Sequence, residues 1–315
     1  MFHYALRRIL GMVPVMFLVT LIVFTLNANM PGDPGRIRLG QRADPVQVEA
    51  YNRERGYLDP FVVQYVRYVR NVAFSFDFGE SDVKSGKPVR TILTEAFAVT
   101  WKLAVFGTII ATLLGVTAGV ISAARSRTML DHASMLLAVL GVSTPVFWLG
   151  ILMMIFLAGP LGLPRTGFVR ASIFTEVRSL TLPALALGLI FSATIARLTR
   201  SAMLETLGQD YVRTARAKGL AERRVVLWHA LRNAAIPIVT VIGNSFAYLL
   251  VGAVLTESVF ALPGLGRTIV ESIIQRDRFV ITGGILMTAS VFVLVNLVVD
   301  LTYGLFDPRV RLGRS

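Results

Sequence analysis

The sequence predicts an all-α membrane protein that crosses the bilayer six times. Three observations carry that expectation. Hydrophobic residues form 54% of the 315-residue chain and charged residues only 16%, with a mean hydropathy of +0.65, a composition typical of integral membrane proteins. Six apolar segments approach the roughly 20 residues that a helix needs to cross hydrocarbon. Finally, Lys and Arg concentrate in the segments that a six-span arrangement places on one side, which sets the orientation.

The expected spans cover residues 9–29, 98–123, 133–157, 180–196, 234–256 and 280–303. Each is expected to be α-helical, because a single span can satisfy its own backbone in lipid only that way. The first, in the N-terminal 1–30 segment, is longer than the apolar region of a signal peptide, and no cleavable signal is apparent. Its end is set by MPGDPG, whose Pro31 and Pro34 cannot continue a helix. Residues 31–95 then form a loop too large for a simple connection. Helix-like stretches near 45–55 and 60–72, with Tyr51, Tyr57, Phe61, Tyr65 and Tyr68, predict a small ordered extracytoplasmic subdomain over the outer mouth. A disordered linker is the alternative, and the aromatic content argues against it.

The remaining 96–315 is expected to be a five-helix core. In its first span Gly107, Ala111, Gly115 and Gly119 recur every four residues, a small-residue stripe that lets another helix approach closely. Lys102, near the start of that span, is expected to snorkel outward. In the next span, GVSTPVFWLG (141–150) places Pro145 where it should kink the helix and release carbonyls. Ser143 and Thr144 can re-satisfy those carbonyls or line a polar path, and the sequence leaves both open; Asn244 and Ser245 are further path candidates. The 180–196 segment is short and should continue as helix past Arg197 and Arg200. Glu257 and Asp300 fall near span ends, where charge is tolerated.

Counting cations gives fifteen on one side: Arg7 and Arg8, Arg125 and Arg127, eight within 197–232, and Arg309, Arg311 and Arg314. The long 31–95 loop has ten, balanced by nine acids, and long loops weigh less. Both termini are therefore expected in the cytosol. The net charge of +13 reflects this orientation rather than nucleic-acid binding. Without cysteine, and with His3, His132 and His229 scattered, no metal site is expected. No phosphate-binding G-x-x-x-x-G-K-[ST] loop, H-E-x-x-H helix or G-x-S-x-G elbow occurs, so catalysis by this chain is not expected.

The most informative stretch is 210–232, DYVRTARAKGLAERRVVLWHALR, within the loop 200–232. Six cations (Arg213, Arg216, Lys218, Arg223, Arg224, Arg232) face two acids, Asp210 and Glu222, and Gly219 separates two helix-favouring pieces. It reads as a cytosolic docking element with two helical surfaces. A solvated amphipathic loop on anionic headgroups is the alternative.

YVRTARAKGLAERRVVLWHALRNA (211–234) resembles the loop of permease subunits in ATP-binding-cassette importers, in the dipeptide/oligopeptide/nickel branch. Of the general EAA-xxx-G…I-x-L-P pattern only Ala215, Gly219 and Leu231 match, whereas the peptide-branch form RTARAKGL…HALRNA matches almost throughout. RRI…PGDP (7–34), DFGES…GKPV (77–89), TPVFWLG (144–150), TESVFALPGLGR (256–267) and DLTYGLFDPRVR (300–311) are similar to the same branch. The resemblance implies a type I importer fold in a bacterial or archaeal cytoplasmic membrane. It implies a second, homologous permease, two cytosolic ATPases that bind ATP and Mg, and an extracytoplasmic solute-binding protein. The 210–232 loop would be the coupling helix, with Ala215 and Gly219 permitting close contact and Arg213, Arg216, Lys218, Glu222 and Arg223 at the rim. Short peptides are the implied cargo; glutathione, nickel chelates and haem are alternatives. An ion-driven carrier or channel is a rival reading, but no buried carboxylate relay supports it.

Overall fold

The structure, a computed structural model, describes residues 2–84 and 86–306, with side chains for all of these except 2–9, 252, 300 and 302–306. Arg309, Arg311 and Arg314, the end of the 300–311 motif, and the side chains of His3, Arg7, Arg8 and Asp300 thus lie outside what is described. The described residues are predominantly α-helical and contain no strand, only an isolated antiparallel bridge between Glu80 and Pro88.

The elements are α1 (Phe2–Ala28), α2 (Pro34–Leu39), α3 (Pro45–Glu54), α4 (Phe61–Ser75), α5 (Val89–Ala124), α6 (Met129–Ser143), α7 (Val146–Phe156), α8 (Ile173–Leu207), α9 (Asp210–Ala217) and α10 (Glu222–Arg224). A π-helical segment, Val225–Ala230, leads into α11 (Leu231–Asn233), followed by α12 (Ala235–Gly252), α13 (Val254–Val259), α14 (Leu265–Gln275) and α15 (Arg278–Phe306). Four helical stretches are long and apolar enough to cross a membrane: Leu10–Ala28, Val89–Ala124, Ile173–Leu207 and Arg278–Val299. Two bent pairs bring the total to six, if each pair is one crossing.

The first of those pairs corrects the sequence reading of one span. Residues 133–157 do not form one kinked helix; α6 and α7 meet at 104°. The cause is local: Thr144 is extended (φ −86°, ψ 124°), as a residue before proline must be, and Pro145 sits at the N-cap of α7 with ψ 130°. The fifth span is likewise part of a bent pair, Glu222–Asn233 and Ala235–Val251, at 63°. The fourth does continue past Arg197 and Arg200, reaching Leu207. It starts earlier than hydropathy suggests, because a Ser172–Thr175 capping box fixes its N-terminus.

The chain divides into two compact units. One comprises residues 2–100 and 263–293. Its core joins Tyr68, Phe78, Val89, Leu93, Leu265 and Val280. Tyr65 and Tyr68 of α4 pack on Phe24 of α1, and the Tyr65 hydroxyl shares a hydrogen bond with Thr20 (2.9 Å). Asp33 and Asp44 cap α2 and α3, each of which has proline in its first turn. The other unit comprises residues 101–262 and 294–306. There α8 is the central helix, buried at Leu180, Leu182, Ala186, Ile195 and Met203, with α6, α7 and α12 packed on it.

Candidate functional site

The 210–232 stretch folds as an elbow. α9 is strongly amphipathic: Val212 and Ala215 point inward, while Arg213, Thr214, Arg216 and Lys218 are exposed. The chain reverses at Gly219, whose φ of +76° suits glycine and disfavours other residues. Val225 then returns to meet Val212 and Ala215, with Leu207 and Leu220 closing the cluster. Burying two valines stabilises the elbow by roughly 1.5–3 kcal/mol each.

Charge decorates this core. The guanidinium of Arg216 donates to both carboxylate oxygens of Glu222 (3.1 and 2.7 Å), bridging the two limbs across Gly219. Arg213 reaches Asp210 at 3.5 Å, an open contact on solvent-exposed side chains. Arg223 and Arg224 border a shallow depression with Ala221, Leu227 and Trp228, and Arg232 lies over the Trp228 ring at 5.8 Å. Two small residues also have roles within the elbow itself. The Ala215 side chain is only 6% exposed and packs inside the elbow. No atom lies within 4 Å of where a Gly219 Cβ would sit, so that glycine supplies backbone conformation.

The small-residue stripe of α5 lies against α8. A Cβ on Gly115 would come 2.7 Å from Ile195 Cβ and the Ser192 carbonyl, and one on Gly119 2.6 Å from the Ala196 carbonyl and Thr199 Cβ. Ala111 is fully buried, whereas a Cβ on Gly107 would meet nothing closer than 3.6 Å. Close approach is thus concentrated at the stripe's second half.

The four path candidates differ in exposure. Ser143 is exposed at the α6/α7 break, and the Thr144 hydroxyl donates to the Leu140 carbonyl at 2.7 Å, the local re-satisfaction foreseen as one option. Asn244 is exposed on α12, while its neighbour Ser245 is buried. Among the described residues no hydrogen bond joins the two pairs. Nor does any group of three or more His, Asp or Glu there have metal-ligand proximity.

One cluster escaped sequence reasoning. Asp131, in the first turn of α6, is 3% exposed and accepts Arg200 Nε at 2.7 Å and Arg200 Nη2 at 2.8 Å. It also accepts the Ser122 hydroxyl and the Arg127 amide (2.9 Å). The C-terminal parts of α5 and α8 and the first turn of α6 are thereby stapled together by a fully satisfied carboxylate. The sequence reading counted Arg200 only among the cations of one membrane side; an acid opposite a cation 69 residues away leaves no local signal. Lys102 likewise does not merely snorkel: its ammonium is paired with Glu176 of α8.

Residues 115–312 match the family "Binding-protein-dependent transport system inner membrane component", and residues 1–113 match its N-terminal companion. The dipeptide transport permease DppB of Alkalihalophilus pseudofirmus is 39% identical, covering 99% of this chain and all of the relative. The di/tripeptide permease DppB of Pseudomonas aeruginosa is 42% identical over the whole of both chains, and Escherichia coli K12 DppB is 39% identical over 99% of each. In fold, the chain is similar to a solved inward-facing structure of the MetNI methionine ABC transporter (TM-score 0.58, 17% identity, 69% of this chain and 97% of that one). It is also similar to an amino acid ABC transporter solved with histidines (TM-score 0.51, 17% identity, 70% and 94%). With both family models in register and relatives aligned from end to end, this chain belongs to the inner-membrane components of binding-protein-dependent transport systems.

Proposed function

We propose that the chain is one half of the membrane path of an ATP-driven importer of short peptides. The observation that carries this reading is the full-length similarity, at 39–42% identity, to permeases named for dipeptides and di/tripeptides. Glutathione, a nickel chelate or haem would suit the same architecture.

In this reading the elbow of α9, Gly219 and α10 docks in a groove of a cytosolic ATPase. Arg213, Lys218 and Arg223 form an outer rim that steers association and fixes register. The Val212–Ala215–Val225 cluster makes the elbow stiff enough to transmit displacement into α8 and α12. ATP and Mg belong to the partner ATPases, so this chain itself performs no chemistry. A homologous permease supplies the other half of the path, and the 31–95 segment faces a solute-binding protein outside the cytoplasmic membrane. Both termini are cytosolic.

Because the chain lacks cysteine, one introduced thiol reports alone. Lys218→Cys, co-expressed with the neighbouring ATPase subunits, should cross-link to an ATPase in a nucleotide-dependent manner. Gly219→Asp should keep insertion yet uncouple ATP hydrolysis from uptake. Labelling of residue 218 by a membrane-impermeant maleimide from outside intact cells would overturn the reading.

A further inference from the structure

The second limb of the elbow, Glu222–Asn233, has two unlike faces. Val226 and Ala230, with Ala234 just beyond the limb, are buried with Ala123 of α5 and Met203 of α8, so one face is pinned against those helices. The other carries Arg224, Leu227, Trp228 and Arg232, all exposed, Trp228 to 63%. Residues three and four apart share a helical face, so cations precede and follow an apolar pair. Arg232 lies over the Trp228 indole at 5.8 Å. Among the described residues neither Arg224 nor Arg232 has a carboxylate partner. No acid occurs between Glu222 and Glu257, and Glu222 is already matched by Arg216. An exposed tryptophan flanked by unanswered cations calls for a surface that is apolar and anionic at once.

The bend shows which surface lies in reach. The limb meets Ala235–Val251 at 63°, so it does not continue the line of the α12 crossing. With α12 along the membrane normal, such a limb descends by only about 0.7 Å per residue instead of about 1.5 Å. Trp228 then lies about 5 Å, and Arg224 about 7–8 Å, below Ala235, where the apolar run of α12 begins. The headgroup layer of one leaflet is about 5–7 Å deep. Tryptophan settles in that layer, and basic side chains are drawn to anionic lipid there. Glu222, about 9 Å down, is at its far side, which leaves Gly219 and α9 clear for the ATPase.

We propose that this face of the second limb binds the headgroup of an anionic phospholipid in the cytoplasmic leaflet. Arg224 and Arg232 hold the phosphate, and Leu227 and the Trp228 indole lie against the glycerol and upper acyl carbons. The proposal rests on the cytosolic side given to the elbow in the reading above.

The chain has three tryptophans, so Trp101→Phe with Trp148→Phe leaves Trp228 as the sole emitter. The full chain in nanodiscs is titrated with phosphatidylglycerol, or with phosphatidylcholine, bearing a nitroxide near the ester end of one chain. Half-maximal quenching of Trp228 should need about one-fifth as much phosphatidylglycerol as phosphatidylcholine, the equivalent of about 1 kcal/mol. Arg224→Gln with Arg232→Gln should bring the two lipids near parity; neither guanidinium is ion-paired, so the unfolding temperature in detergent should hold. Native mass spectrometry of the chain with its tryptophans intact should show the same double substitution losing about fivefold in retained phosphatidylglycerol. Equal quenching by the two lipids, no quenching by either, or a preference that survives the double substitution would overturn the proposal. So would loss of quenching on adding the purified ATPase subunits, which would give this face to protein. The discs offer the same lipid on both sides, so failure here leaves the side of the elbow to the separate labelling of residue 218.

Discussion

Gly→Ala substitution along the α5 stripe offers a sharp test, because one chemical change should have opposite signs at positions two turns apart. At Gly107 the new methyl would meet Leu187 Cβ at 3.6 Å and Leu249 Cδ1 at 3.7 Å, ordinary contact distances. Helix propensity then favours alanine by up to about 1 kcal/mol, so Gly107→Ala should be neutral or mildly stabilising. At Gly115 the methyl would lie 2.7 Å from both Ile195 Cβ and the Ser192 carbonyl, and at Gly119 2.6 Å from the Ala196 carbonyl. Backbone oxygens cannot swing aside, so α5 and α8 must separate, at the roughly 1–3 kcal/mol cost of overpacking. The spread between Gly107→Ala and either of the others should therefore reach about 1–4 kcal/mol, the sum of the two effects. Thermal unfolding of the detergent-solubilised chain, read by fluorescence-detected size exclusion, resolves a difference of that size. Three variants that shift together would refute the packing of α5 on α8 described above.

Other consequences can be checked in parallel. Asp131→Asn leaves Arg200 without its charge partner; with the arginine side chain 27% exposed, solvent moderates the usual 3–5 kcal/mol penalty to about 2–3 kcal/mol. A double-mutant cycle with Arg200→Gln should recover part of it. In the elbow, Val212→Ala should cost about 1.5 kcal/mol, two buried methylene equivalents, whereas Arg216→Ala should cost under about 1 kcal/mol because its ion pair is exposed; hydrogen exchange of residues 207–225 would rank them. Asp82 should give pH dependence: burial, with the negative charge of Asp277 adding and Arg278 opposing, pushes its carboxyl up to about 6 from 3.8. The folded state therefore binds this proton more tightly, and stability should rise as pH falls from about 6 toward 4. Asp82→Asn should remove that slope and raise the unfolding temperature at pH 7.5; an unchanged slope would exclude Asp82 as its source.

The helical crossings were legible in the sequence because hydropathy sums over many residues, and lipid leaves a long apolar run few alternatives to helix. The small-residue stripe and the Gly219 reversal were also visible. What escaped were features fixed by single dihedral angles or by distant partners. A hydropathy window averages across Thr144 and Pro145, so it cannot distinguish a kink from two helices at 104°. Asp131 and Arg200 each look like ordinary end-of-span charges until folding brings them together. The unit containing α14 draws on residues 2–100 as well as 263–293, a pairing of distant segments that no local pattern announces. At Ala215 the small size was read as an external contact surface; the helical phase shared with Val212, one turn earlier, was the available sign that it points inward.

The π-helical stretch Val225–Ala230 gives the second limb of the elbow an unusual joint. A wider coil accommodates an extra residue, so tightening it to ordinary α geometry would advance the following chain by one position, about 1.5 Å along the axis and 100° around it. A push arriving at this joint can thus emerge as a screw motion of α12, with the hydrogen-bond ladder re-registered rather than broken.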